Sequence, residues 1–236
     1  MIYIGTAGWS IPKVYAHLFP SEGTHLERYA TRLTITEINQ TFYKLPRVST
    51  LQKWSEQTPP NFKFSAKLHR SFTHFHKLQT IEGLENFINT LQELGPKFFA
   101  LLVQLPPSLT FDERVARNFL EKLRTLYGGH IALEARHESW QEGERLLEKL
   151  QIARVAADPP RFKLNSEPGG DKKFAYFRLH GSPKIYYSKY TREFLQNLAT
   201  TIMQLQAEEI VVIFDNTASG AAIENAFELK EIIESE

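Results

Sequence analysis

The sequence contains no cysteine, which removes disulfides, thiolate metal sites and a cysteine nucleophile from consideration. It has no run of about 18 apolar residues, so no segment is expected to span a membrane. Charge of neither sign dominates: 28 Lys and Arg stand against 27 Asp and Glu, for a formal net charge of +1. That balance gives no global attraction to nucleic acid or to an anionic membrane. Met1 leads at once into Ile2-Tyr3-Ile4, with no basic stretch and no small-residue cleavage site, so a secretory signal is not expected and a cytoplasmic location is. Nucleotide motifs are lacking too. Gly5-Thr6-Ala7-Gly8 fits neither a P-loop nor the dinucleotide fingerprint.

What is present is ordinary in composition and regular in pattern. The chain has 236 residues, 42% apolar and 23% charged, a size and balance suited to one soluble α/β barrel, and residues 1–236 are read as a single domain. Apolar runs of strand length recur at Ile2–Gly5, Leu33–Ile38, Phe62–Ala66, Phe98–Leu105, Ile131–Ala135, Ile152–Ala157, Phe174–Leu179 and Ile210–Phe214. Stretches of helical period lie between them, clearest at Leu84–Leu94, Phe111–Leu126, Leu195–Leu205 and Ala221–Ile233. Thr110 or Asp112 would cap the second of these. Alternating strand and helix implies right-handed βαβ units and parallel strands. The fold class is therefore α/β, a TIM-type (β/α)8 barrel, with an open doubly wound sheet as the rival. One unit breaks the rule: residues 158–173 are rich in Pro and Gly, so a loop should replace the helix after strand 6.

In such barrels the chemistry sits where the strands end. Here the ends are polar. Strand 2 runs into Glu37-Ile38-Asn39, strand 3 ends at Lys67 and strand 4 at Gln104. Strand 5 ends Glu134-Ala135-Arg136, strand 7 ends Arg178-Leu179-His180, and strand 8 ends Asp215-Asn216. Residues two apart share a face of a strand, so Glu37 and Asn39, Glu134 and Arg136, and Tyr176, Arg178 and His180 would project together. Two readings compete. Either the charges form a buried ion-pair network, Glu134 with Arg178 or Glu37 with Arg136, or they serve a ligand, because unpaired charge in a low dielectric is costly.

On the ligand reading, Glu37, Glu134 and His180 are the proton-transfer candidates. Lys67, Arg136 and Arg178 would hold an anion, with Asn39, Tyr43, His74, Gln104 and Asn216 completing the substrate contacts. Lys67 would also serve as an amine nucleophile if desolvated beside other cations, although its place at a strand end does not by itself select that role. The loops after strands 7 and 8, Gly181-Ser182 and Thr217-Ala218-Ser219-Gly220, offer a phosphate site; the bland alternative is a helix cap and a tight turn.

No cofactor is fixed by the sequence. A divalent metal has two candidate settings: the ring Glu37, Glu134, Asp158, His180 and Asp215, and the cluster His69, His74 and His76. Three functions are carried forward. The leading one is an enzyme acting on a small polar or anionic ligand, phosphorylated or not. The others are a metal-dependent hydrolase, phosphodiesterase- or nuclease-like, and a non-catalytic ligand- or nucleic-acid-binding module. The last draws on the local basic segments 61–77 and 172–192 and is opposed by the balanced net charge.

The motifs together also resemble a known family. They run Gly5-Thr6-Ala7-Gly8-Trp9, Glu37-x-Asn39-x-Thr41-Phe42-Tyr43, Phe62-x-Phe64-x-x-Lys67, Thr73-His74 and Gln104-x-Pro106-Pro107. They continue with Glu134-x-Arg136-His137-x-x-Trp140, Tyr176-x-Arg178-x-His180-Gly181 and Phe214-Asp215-Asn216-Thr217. In this the chain resembles the YecE-like family, domain of unknown function 72, from Gly5 to about Leu229. The resemblance implies a TIM-type barrel and no established reaction. Asp215 departs from it, since Asn is expected there.

Overall fold

Ten strands build one sheet in the computed structural model, which describes residues 1–235; Glu236, the last residue of the expected domain, lies outside them. The strands are β1 (Ile2–Ala7), β2 (Ile35–Ile38), β3 (Lys63–Lys67), β4 (Phe98–Gln104) and β5 (His130–Glu134). Then come β6 (Ile152–Arg154), β7 (Ala156–Asp158), β8 (Gly169–Gly170), β9 (Phe174–Leu179) and β10 (Glu209–Phe214). Their order across the sheet is β7-β9-β10-β1-β2-β3-β4-β5-β6-β8, parallel throughout except for the antiparallel pair β6 and β8. Only Val155 separates β6 from β7. The first pairs with β5 and the second with β9, so the two ends of the sheet meet in a single run of chain and the barrel nearly closes. The expected sixth strand thus exists as two short halves, each committed to a different neighbour.

Alternation along the strands sorts two cores. On β9, Ala175, Phe177 and Leu179 pack outward against the helices, while Phe174 and Tyr176 fill the barrel. Val211 and Ile213 of β10, Ala132 of β5 and Ala100 and Leu102 of β4 join them inside. The inner core is apolar at its base and middle and turns polar toward the C-terminal strand ends. A register shift between β3 and β4, where Phe64 faces Phe98 but Ser65 faces Ala100, sets which β4 residues point inward.

The helices are α1 (His25–Ala30), α2 (Gln40–Tyr43), α3 (Val48–Glu56), α4 (Leu84–Leu91), α5 (Glu113–Leu126), α6 (Glu144–Lys149), α7 (Arg192–Gln204) and α8 (Ala221–Ser235). Asp112 caps α5, accepting from the Val115 amide at 3.0 Å. Periodicity picks out α4, α5, α7 and α8. It passes over the shorter ones, because six residues or fewer give too few turns for a stripe and α3 buries only Leu51. No helix among the described residues is long and apolar enough to cross a membrane.

After β7 the expected helix is indeed missing. A single helical turn, Lys163–Ser166, and the two-residue β8 take its place. Gly170 permits this: its φ is +67°, and a Cβ there would lie 2.1 Å from the Ile152 carbonyl oxygen. Where the helix would pack, a cavity of about 270 Å³ opens beside Ala156, Phe177, Leu179, Phe194 and Leu198.

Candidate functional site

The polar strand ends converge. Glu37 from the end of β2, Glu134 from β5, Arg178 from β9 and Asp215 just past β10 meet in one buried cluster at the C-terminal mouth of the barrel. Arg178 is the hub and is 0% exposed. Its Nε and Nη2 donate to the two oxygens of Glu37 at 3.0 and 2.7 Å, a bidentate pair. Nη1 donates to Glu134 at 2.7 Å and Nη2 also reaches Asp215 at 3.1 Å. Beneath it, the Tyr176 hydroxyl donates to Glu37 at 2.9 Å and sits 2.8 Å from the Ser65 hydroxyl. Three carboxylates around one guanidinium hold its pKa well above the ordinary value, against desolvation.

Around this hub lies a second ring. His180 places Nδ1 3.0 Å from Asp215 and Nε2 3.1 Å from Glu134. Burial pushes its pKa down, but Glu134 and Asp215 outweigh burial and raise it, favouring the imidazolium. Gln104 donates to Glu134 at 2.9 Å, and Arg136 donates to the same carboxylate from Nε and Nη2 at 3.2 and 3.1 Å. Arg178, with His180 and Arg136, therefore holds Glu134 well below the usual carboxylate range despite its burial. Asp215 is lowered by Arg178 and His180 in the same way. The loop over His180 is held in an unusual shape. Tyr186 has φ +69°, its amide donates to the His180 carbonyl at 2.6 Å, and its ring lies edge-on to the imidazole at 6.0 Å. Left-handed backbone at a bulky residue is the sort of strain that collects at functional sites.

Lys67 differs from every other member. Its strand position points inward with Ser65, and it is 8% exposed. Its ammonium lies 4.3 Å above the centre of the Phe42 ring, yet among the described residues it donates to no oxygen and forms no ion pair. Desolvation, helped by Arg178, lowers its pKa to about 8, with Glu37, Glu134 and Asp215 opposing. Positive charge reaches outward from here. Burial and then Lys67, Arg136 and Arg70 push the His74 imidazole toward its neutral form.

Several expected roles change. Arg178 does not face a ligand: four of its N–H groups are spent on carboxylates within the protein. Glu37 is 0% exposed, with both oxygens occupied, and so sits below the open mouth. The expected alternative pairing of Glu37 with Arg136 is replaced by Glu37 with Arg178 and Arg136 with Glu134. Tyr43 projects outward, 61% exposed and stacked under Arg70. Asn216 is buried, its amide donating to the Ser188 carbonyl at 2.9 Å and to Asn225 at 3.0 Å, which ties the loop after β9 to α8. Asn39 sits at the end of β2 with a buried Oδ1 that has no protein partner.

The metal settings do not assemble. Asp158 accepts from the Tyr190 hydroxyl at 2.8 Å instead of joining the ring, and the remaining carboxylates close on Arg178, so a guanidinium stands where a cation would. His69 bonds Ser71 at 2.7 Å and His74 bonds Thr73 at 2.8 Å, each engaged locally. Among the described residues no group of three His, Asp or Glu is placed to hold an ion. In the two loops proposed for phosphate, the amides of Gly181, Ala218 and Gly220 already donate to Tyr190, Tyr186 and Thr217. Tyr176, placed by alternation beside Arg178, supports Glu37 from below, a role the sequence does not assign it. Tyr186 is set by a backbone turn with no sequence signal.

Known proteins share this arrangement of chain. The family model described as protein of unknown function DUF72 matches residues 3–236. The UPF0759 protein YecE of Escherichia coli K12 is 33% identical over 139 residues, 58% of this chain and 49% of that protein, so the match spans about half the length of that relative. The UPF0759 protein YunF of Bacillus subtilis is 24% identical, with 100% of this chain and 96% of that protein covered. The crystal structure of a DUF72 family protein from Enterococcus faecalis V583 superposes with a TM-score of 0.81 at 22% identity, over 99% of this chain and 96% of that one. A D-psicose 3-epimerase from Clostridium cellulolyticum H10 reaches 0.56 at 10% identity over 99% and 97%, a likeness of barrel fold alone. The match over nearly the whole chain places this protein in the DUF72 family, alongside YecE and YunF.

Proposed function

We propose that this chain is an enzyme whose substrate is a small anion, bound at the mouth of the barrel against Lys67 and Arg136. One observation carries the reading: the carboxylates turn inward onto Arg178 and are consumed there, while the Lys67 ammonium, at the end of a side chain only 8% exposed and without a hydrogen-bonded oxygen, is left at the mouth. A largely desolvated cation with no acceptor bonded to it gains from a ligand that supplies one. Arg136 adds a second cation, with Nη1 outside its bonds to Glu134. His180 is the charged wall of this reading, with both ring nitrogens held by protein carboxylates. Glu134 and Asp215 hold its ring and favour its acid form, and it lines a narrow slot with Arg136, Arg161 and Tyr186. Glu37, with both oxygens bonded to Arg178, and Glu134, kept as a carboxylate by its cations, serve to position Arg178 and His180.

Calorimetric titration with phosphate, pyrophosphate, pyruvate and oxalate tests this. At least one should bind, and Arg136→Gln should weaken it by about ten-fold, the scale of one charge-assisted contact. Failure of all four to bind above the effect of equal ionic strength ends the reading.

A further inference from the structure

The chain has two lysines buried to nearly the same degree, and they are used in opposite ways. Lys97 spends its ammonium on protein oxygens: the Ser55 carbonyl at 2.5 Å, the Thr58 carbonyl at 2.6 Å and the Thr58 hydroxyl at 3.1 Å. That is a structural lysine, fully satisfied. Lys67 has none of these partners and rests on an aromatic face. Around it stand Glu37 from the neighbouring strand β2, Arg178, Glu134 and Asp215 from strands across the barrel, and His74 from the turn after β3, with Arg136 on the other side of His74. The carboxylates among them are already bonded to Arg178 and His180. A lysine desolvated beside a guanidinium, with no acceptor to hold its protons, is placed to act as a free amine.

We propose that Lys67 is an amine nucleophile that condenses with the carbonyl of a small aldehyde or ketone bearing a carboxylate or phosphate. The proposal rests on the anion-binding reading above and names its substrate class. The Lys67 nitrogen lone pair attacks the carbonyl carbon, and the C–N bond forms as the C=O π pair moves to oxygen. A proton passes from nitrogen to that oxygen, giving a carbinolamine. One further proton, taken from solvent at the mouth, lets the hydroxyl leave as water while nitrogen completes the C=N bond. The sum is amine plus carbonyl plus one proton to iminium plus water, with no change of oxidation state. The anionic group would lie against Arg136, which fixes the carbonyl end toward Lys67. With a pKa near 8, the amine is present at neutral pH in far larger fraction than on an exposed lysine near 10.4.

Full-length protein incubated with pyruvate, dihydroxyacetone phosphate or uncharged acetaldehyde, reduced with borohydride and mapped by mass spectrometry, is the test. The expected result is an adduct on Lys67 from pyruvate or the phosphate ester, formed roughly ten-fold or more faster at pH 7.5 than on exposed Lys172 or Lys184. Inorganic phosphate should slow it, and Lys67→Arg, which keeps the charge, should abolish it. Whichever ester or acid labels faster identifies the anionic group. If pyruvate or phosphate binds by calorimetry and no carbonyl compound labels Lys67 in the native protein, the nucleophile is refuted and the anion site stands. If acetaldehyde labels Lys67 as fast as pyruvate and phosphate does not protect, the anionic substrate class is refuted instead.

Discussion

Replacing Arg178 with Met removes the one cation shared by Glu37, Glu134 and Asp215 while keeping most of the side-chain volume. Glu37 and Glu134 are buried and Asp215 nearly so, which leaves them facing one another without a guanidinium. Breaking a buried pair from one side typically costs about 3–5 kcal/mol, because the partner charge stays desolvated. Against a whole-domain stability of about 5–15 kcal/mol that is a large share. Urea is the denaturant to use, since guanidinium salt would screen the effect under study. The midpoint should fall by about 1–2 M at pH 7 with the slope unchanged. The pH dependence gives a second reading of the same interaction. Glu134 and Asp215 have folded pKa values below their ordinary 4.5 and 3.8, so their contribution in the native protein is complete above about pH 5 and is lost as pH falls through the folded values. Without Arg178 they would protonate at higher pH, and the gap between variant and native protein should narrow on acidification. A loss under about 1 kcal/mol at pH 7, or a gap that does not narrow by pH 5, would refute the hub role.

Lys67→Met should raise stability at pH 7 by about 1–3 kcal/mol, since it removes a desolvated charge with no hydrogen bond, while eliminating anion binding. Because the folded pKa of Lys67 lies below its unfolded value, the unfolded chain holds the proton longer between about pH 8 and 10.5. Native stability therefore rises across that window and the advantage of the variant shrinks, as denaturation at pH 7 and pH 10 would show. Asn225→Ala should cost about 1–3 kcal/mol, because its side chain bonds the Tyr190 amide at 3.0 Å, the Tyr190 carbonyl at 3.1 Å and Asn216. Hydrogen exchange should then speed up in the loop 181–190 ahead of the rest of the protein.

Much of this architecture is legible in the sequence because its signals are local. Strand runs, helical stripes at α4, α5, α7 and α8, and the Pro- and Gly-rich gap after the sixth strand all follow from side-chain periodicity and backbone preference. The convergence of Glu37, Glu134 and Arg178 is legible for the same reason, as alternation names the inward face. What alternation does not give is depth. Arg178 and Lys67 both end strands and both point inward, yet one is encircled by carboxylates and the other is left bare. That difference depends on the barrel's stagger, which brings β9 opposite β2 and β5. Asn216 shows the same limit: it follows Asp215 on the strand end but faces the opposite way, into the Ser188 and Asn225 contacts.

The divided sixth strand has a mechanical consequence. Each half contributes a ladder of only three residues, one to β5 and one to β9, and no crossover helix shields the outside of the second. A cylinder is as stiff as its weakest seam, and here the seam lies beside the narrow slot that holds His180. Ala157 stands in register with Arg178 across that ladder, and the His180 amide donates to the Asp158 carbonyl at 2.7 Å, so the seam of the barrel and the polar cluster are held by the same few contacts. Any change that loosens the seam is felt at Arg178 and His180 together.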